Sequence, residues 1–241
     1  MSRESGGPSL PSSPSGPPVA FCPSAPLLLP AVEGGPAPET TELRRACLAA
    51  VAAMLASGPD SVVVVACGAP AGARYGEGDV ARLHGLGLEL DVPFAGEPAA
   101  WPGVAGPEFA VGAWLLDEVA YRGGRLGVGP GELAGVLAES PGTVGLLALA
   151  DGSARRGVKA PGYLDERAAP FDAAVATALA DGDAAALAGL DPAEGERLLA
   201  AGVPVWRAVG GALAGCAMSG RLHADVAPFG VGYLVADWTP R

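Results

Sequence analysis

"SVVVVACG", residues 61–68, is the stretch of this sequence that decides the fold. Its valines are β-branched and apolar at consecutive positions, so both faces of the predicted strand must be buried. A strand buried on both faces is typical of a parallel sheet covered by helices. "GTVGLLALA", residues 142–150, has the same continuous apolar character and predicts a second strand of this kind.

Helical and extended segments alternate around these two strands. "PETTELRRACLAAVAAMLASGPD", residues 38–60, repeats apolar residues at three- and four-residue spacing and predicts a helix, with Thr40 or Thr41 as its cap. Strands are predicted at 19–22, within 86–94, and on both sides of the Pro-Phe-Gly turn in 221–238; helices are predicted within 106–121, 129–140, 170–183, 191–202 and 203–215. This order predicts the α/β class: a single domain with a central, mostly parallel sheet and helices on both faces.

The amino-terminal 18 residues differ from the rest of the 241-residue chain. Residues 1–18 are rich in Ser, Gly and Pro, which predicts a disordered tail, and residues 19–241 form the predicted domain. The tail lacks the apolar stretch of a signal peptide, and no later run is long and uncharged enough to span a bilayer. We therefore expect a soluble cytoplasmic protein without a membrane partner.

Composition excludes some partners and chemistries. Only 17% of residues are charged and the formal net charge is -11, whereas a nucleic-acid surface needs a basic stripe. The four cysteines (Cys22, Cys47, Cys67 and Cys216) are scattered without a C-x-x-C motif, so neither a zinc site nor a disulfide framework is indicated. Free, buried thiols and a reducing compartment are the expectation.

A basic loop follows the second buried strand. In such sheets ligands bind beyond the carboxyl ends of the strands, where the loops after Cys22, Cys67 and Ala150 should meet. The last of these loops, within "ALADGSARRGVKAPGYLDERAAPFD" (residues 148–172), carries the only lysine of the chain. Guanidinium groups and a Gly-rich turn suit an anionic ligand. The candidate ligand-binding residues are Asp151, Ser153, Arg155, Arg156 and Lys159 in this loop and Ser24 in the loop after the first strand.

A structural interpretation of the same loop stays open. Its arginines, Arg167 included, could pair with Asp151, Asp165 and Glu166 and only hold a long connection in place. Ser153 is a poor candidate nucleophile because no histidine lies near it in the sequence to activate it. The two histidines, His84 and His223, fit structural positions better than ligand or base roles.

Several segments together resemble one known family. "CPSAPLLLPAV" (22–32) is similar to the first-strand motif of the class III extradiol ring-cleavage dioxygenases of the protocatechuate dioxygenase β-subunit and Memo-like type. "SVVVVACGAP" (61–70) resembles their second strand, "LALADGSARR" (147–156) their Ser-Asp-Leu-Ser-His segment, and residues 170–194 their aspartate-led helix, acidic turn and second helix. The alanine-rich actinobacterial branch is the most similar. The resemblance covers nearly the whole predicted domain.

The resemblance implies non-haem Fe(II) chemistry, but its ligands are not retained. Family members that cleave catechols hold Fe(II) with two histidines and a glutamate. The first-loop histidine corresponds to Ser24 and the Ser-His histidine to Ala154; "ACGAPAG" (66–72) offers no imidazole, and no glutamate matches, although Glu194 and Glu196 lie in the corresponding part of the chain. The cofactor is therefore unknown, and no metal-binding residue is assigned.

Three hypotheses follow from this mismatch. The first is a dioxygenase-like protein that binds a small anionic or aromatic molecule in the family crevice without ring-cleavage activity. The second is a metal-dependent ring-cleavage enzyme with a rearranged centre. The third is an assembly subunit or homo-oligomer, because the terminal strands are expected to expose an edge of the sheet.

Overall fold

A computed structural model describes residues 16–33 and 37–241 of the chain. Of the predicted tail, residues 1–15 lie outside this part; the carbonyl oxygen of Pro18 already accepts a hydrogen bond from Leu146 N. The strands are β1 (Val19–Cys22), β2 (Ser61–Ala66), β3 (Arg74–Tyr75), β4 (Val80–Arg82), β5 (Asp91–Pro93), β6 (Val104–Ala105), β7 (Gly124–Val128), β8 (Val144–Leu149), β9 (Met218–Val226) and β10 (Tyr233–Pro240). The α-helices are α1 (Pro38–Leu55), α2 (Pro107–Glu118), α3 (Leu133–Glu139), α4 (Ala168–Asp181), α5 (Ala184–Ala188), α6 (Pro192–Leu198) and α7 (Val203–Ala212).

Seven strands form the central sheet in the order β3-β7-β2-β8-β1-β10-β9. Four adjacent strands, β7, β2, β8 and β1, run parallel to one another. Strand β10 is antiparallel to β1, β9 is antiparallel to β10, and β3 is antiparallel to β7. The predicted α/β fold with a mostly parallel sheet is confirmed.

The valine run of β2 divides the core between the two faces of this sheet. Val63 and Val65 belong to one buried cluster with residues of α4 and α7, and Val62 and Val64 belong to a second cluster with residues of α1 and α2. Strand β8 alternates in the same way between the two clusters. Continuous apolarity in these strands therefore reflects two helix layers, as the sequence predicts.

Three local features differ from the sequence predictions. Strand β7 was not predicted, because its sequence "GRLGV" carries two glycines and an arginine. Residues 69–106 hold β3 and a separate three-stranded sheet of order β5-β4-β6, where only one strand was predicted. Neither Thr40 nor Thr41 caps α1: the cap residue is Ala37, and Pro38 takes the first helical position, where the missing N–H costs nothing.

None of the helices in residues 16–33 and 37–241 is both long and apolar enough to cross a lipid bilayer.

Candidate functional site

The loops that the sequence predicts to line a crevice meet at the carboxyl ends of three adjacent strands. Strand β8 pairs on one side with β2 and on the other with β1, so the loops after Cys22, Ala66 and Ala150 begin side by side. Gly202 N donates a hydrogen bond to Asp151 O at 2.8 Å, and this bond ties the segment between α6 and α7 to the end of β8. The structure therefore brings together the three loops that the sequence indicates.

Asp151 is the central polar group of this crevice. Its Oδ1 accepts a hydrogen bond from Ser24 N at 3.0 Å, and its Oδ2 accepts one from Ser24 Oγ at 2.9 Å. The pKa of Asp151 is raised to about 6: burial is the main cause and the negative charge of Glu108 adds to it, while the two Ser24 hydrogen bonds act in the opposite direction. A carboxyl group with this pKa can be protonated or ionised near neutral pH.

Three further ionisable side chains lie near Asp151: Cys67, Tyr233 and Glu108. Burial raises the pKa of the Cys67 thiol, as do the charges of Glu108 and Asp151, and the thiol donates to Ala201 O at 3.3 Å. Burial also raises the pKa of the Tyr233 phenol, with the charge of Asp151 acting in the same direction. The crevice is therefore acidic, and at neutral pH its thiol and phenol are uncharged.

Glu108 could not be assigned to this site from the sequence. It lies in the first turn of α2, more than 40 residues after the strand end that it faces. Gly68 has a φ of +90° and passes so near the Glu108 carboxylate that a Cβ at this position would lie 3.3 Å from Oε2. A positive φ and close approach both favour glycine. Only the path of α2 over the sheet brings this carboxylate to the crevice.

Most of the basic loop is held by contacts within the protein. Arg156 forms an ion pair with the fully buried Asp172 (Nη1–Oδ2, 2.7 Å), and Arg155 donates from Nη1 to Gly162 O at 2.6 Å. The buried Nε of Arg155 has no hydrogen-bond partner within the described ranges. Arg167 pairs with Asp165, as the structural interpretation predicts, whereas the partner of Arg156 is Asp172 and not one of the three predicted acids.

Ser153 is buried, whereas Lys159 is exposed to solvent. Ser153 is fully buried; its hydroxyl donates to Leu198 O at 2.6 Å, and its backbone N–H donates to Asp172 Oδ1 at 2.9 Å. In this conformation Ser153 fixes the loop and cannot reach a ligand. The side chain of Lys159 is exposed. Of the six predicted binding residues, Asp151 and Ser24 are the two that the structure joins directly in the crevice.

The residues at the strand ends do not fit the family's iron. No group of three or more His, Cys, Asp or Glu side chains in the described part of the chain is arranged to hold a metal ion. The Nε2 atom of His84 lies 3.3 Å from Asp91 Oδ1, beside the three-stranded sheet. His223 contacts Asp237 on the two terminal strands. The negative charge of Glu194 helps to raise the pKa of Arg167, and Glu196 is exposed on α6. Ser24 and Asp151 alone would leave Fe(II) without imidazole ligands.

Comparisons with known proteins give no further assignment: no protein-family model matches the chain, and no curated protein matches it.

Proposed function

We propose that this protein is a class III extradiol dioxygenase-like protein that binds a small aromatic hydroxyl compound in the crevice around Asp151 and does not cleave its ring. The observation that carries the proposal is the Asp151 carboxylate, which stands at the end of the central strand β8 and is oriented by both hydrogen bonds from Ser24. The resemblance of several sequence segments supports the assignment to this family. The absence of histidine at the two positions that match the family's iron ligands argues against iron-dependent ring cleavage.

The hydrogen-bonding capacity of Asp151 favours a hydroxyl ligand. Each carboxylate oxygen accepts one bond from Ser24 and keeps a second lone pair for a donor from a ligand. Adjacent phenolic hydroxyls can donate to both oxygens of one carboxylate. Because Asp151 and Glu108 give the crevice negative charge, a neutral aromatic diol is favoured over an anion.

The binding test uses 4-methylcatechol with purified protein, without oxygen and with a chelator present. We expect saturable heat of binding in calorimetry, and at least tenfold weaker affinity for Asp151→Asn, because hydrogen bonds to a charged group contribute about 1.5–3 kcal/mol. Asp165→Asn is the matched control, since that carboxylate pairs with Arg167 outside the crevice. Equal affinity of Asp151→Asn and the parent protein would refute the proposal.

Catalysis is tested separately. Fe(II) is titrated into the protein without oxygen, and 4-methylcatechol and oxygen are then added while the yellow ring-fission product is followed by absorbance. We expect neither stoichiometric iron binding nor product. Iron binding accompanied by product would establish the metal-dependent ring-cleavage enzyme instead.

A small anion is the second candidate ligand. The observation that favours it is the buried Nε of Arg155, which has no hydrogen-bond partner among the described residues. 3,4-Dihydroxybenzoate carries a carboxylate where 4-methylcatechol carries a methyl group, so the pair separates the two candidates. Tighter binding of 3,4-dihydroxybenzoate that is lost in Arg155→Met would favour the anion site.

A further inference from the structure

A groove runs between the first half of α1 and the carboxyl-terminal half of β9. Its volume is about 840 Å³, within the range of roughly 300–1,000 Å³ that small-molecule sites occupy. Apolar side chains form its floor, among them Leu43 and Ala46 of α1, Val226 of β9 and Pro228 of the turn after β9. Strands β1 and β10 separate β9 from β8, so this groove is not the Asp151 crevice.

His223 enters the groove from an irregularity in β9. Val235 of β10 pairs with Ala224, but the next residue, Ala236, pairs with Leu222, so His223 is the extra residue of a β-bulge. A bulge changes the direction of the side chain that it carries, and bulges occur frequently beside functional sites. In a regular strand, successive side chains point to opposite faces of the sheet. The extra residue in β9 interrupts this alternation at His223.

The His223 ring is fixed by a buried carboxylate. Its Nε2 lies 2.6 Å from Asp237 Oδ1, and the exposed fractions of the two side chains are 11% and 8%. An ionised carboxylate only accepts hydrogen bonds, so the tautomer of the neutral ring that fits this contact carries its proton on Nε2. Nδ1 then has a free lone pair and can accept a hydrogen bond from a ligand.

The charged side chains that line the groove determine which kind of ligand it favours. Arg45 forms an ion pair with Glu42, so the other charged groups of the lining are the carboxylates of Glu39 and Asp225. Two carboxylates around an apolar floor attract a cation and repel an anion. An ammonium group supplies both the positive charge and the hydrogen-bond donor that Nδ1 requires.

We propose that this groove is a second ligand site, in which His223, oriented by Asp237, binds a primary amine with an apolar body. The inference does not depend on the function proposed for the Asp151 crevice. The bulge gives the site its imidazole, and Glu39 and Asp225 give it its charge preference.

The test follows the imidazole NMR signals of the two histidines, assigned with His84→Gln. Titration with phenethylamine is expected to shift the His223 signals saturably and to leave those of His84 unchanged. 3-Phenylpropionate has the same ring and linker with a carboxylate in place of the amine, and its binding is expected to be at least tenfold weaker.

A pair of helix variants tests the location. Ala46→Trp fills the groove floor and should abolish the phenethylamine shift; Ala52→Trp, at an exposed position of the same helix, should preserve it. The proposal is overturned if phenethylamine does not shift His223, if the anion binds equally well, or if Ala46→Trp leaves the titration unchanged while the protein stays folded.

Discussion

Asp151 and Asp165 show how one residue type acquires opposite properties in a single loop. Burial raises the pKa of Asp151 to about 6, whereas hydrogen bonds from Arg167 lower the pKa of Asp165 to about 2. The first carboxyl group titrates close to neutral pH, whereas the second is ionised throughout the neutral range. Local sequence does not distinguish them, because both stand near arginines in the chain.

The first prediction concerns pH and stability. The pKa of Asp151 is higher in the folded protein than its ordinary value of 3.8, so the ionised form is disfavoured by folding. Its penalty is absent below about pH 4 and fully present above about pH 6, where it reaches at most about 3 kcal/mol. We therefore expect Asp151→Asn to gain stability relative to the parent protein as pH rises from 4 to 7, measured by urea unfolding.

Asp165→Asn should change the pH dependence of stability in the opposite direction. Because the folded-state pKa of Asp165 is lowered, its ionised form contributes stability above pH 3.8 that is lost as pH falls toward 2. The difference between this variant and the parent protein should be constant from pH 5 to pH 7. Parallel pH profiles for Asp151→Asn and Asp165→Asn would contradict the assignment of Asp151.

The second prediction concerns the ion pair of Arg156. Asp172 is fully buried, and burial raises its pKa although Ser153 and Arg156 both donate hydrogen bonds to it. Arg156→Met leaves that carboxyl group without its cation and should cost about 3 kcal/mol of unfolding free energy. Adding Asp172→Asn should recover part of the loss. Arg167→Met, which breaks a partly exposed pair, should cost clearly less than Arg156→Met, and equal losses would contradict a special role for Arg156.

Strand β8 is the element on which the crevice depends. It has parallel neighbours on both sides, and the segment before α7 closes over its end through the bond from Gly202 to Asp151. A Cβ at Gly202 would lie 2.7 Å from Ala150 Cβ and 2.7 Å from Asp151 O. Backbone contact therefore requires glycine at this position, although its φ is ordinary.

The third prediction uses this contact. Gly202→Ala should destabilise the protein by about 1–3 kcal/mol, as overpacking of a filled site does, and should move the NMR signals of Asp151. Gly211→Ala is the matched control: this glycine lies within α7 with open space around it, and alanine there should stabilise by roughly 0.5–1 kcal/mol. Thermal unfolding measures both changes. A neutral Gly202→Ala would show that the α6–α7 segment does not pack on β8 as described.

The whole molecule is organised around a sheet that is buried at its centre and open at one end. Strands β2 and β8 lie between two helix layers, whereas β9 ends the sheet and carries the exposed residues Arg221 and Asp225. Charged side chains on an edge strand disfavour pairing with another sheet. A homo-oligomer remains a proposal, and sedimentation equilibrium is its test.

The fourth prediction concerns hydrogen exchange. Backbone amides of residues 63–65 and 146–148 should exchange most slowly, through global unfolding, because their strands are paired on both sides and covered on both faces. Amides of β9 that point away from β10 should exchange fastest among the strand amides. Protection of β9 that increases with protein concentration would instead indicate association through this edge.

The sequence by itself determined the α/β class, the buried strands β2 and β8, most helices and the meeting point of three loops. These features follow from apolar periodicity and from the general rule that parallel strands end at one edge of a sheet, both of which are local or topological. Strand β7 was missed because its glycines and arginine hide the apolar pattern. The prediction of Thr40 or Thr41 as the cap of α1 was wrong because Pro38 is itself compatible with a helix start.

Only the tertiary structure decided which polar side chains share a site. Ser153 and Arg156 stand in the same loop as Asp151, yet they hold the loop through Leu198 and Asp172. Glu108 and His223 reach their positions through the path of α2 and through a β-bulge. Side-chain direction and burial depend on contacts between residues far apart in the chain, and these set both the pKa of Asp151 and the partner of each arginine.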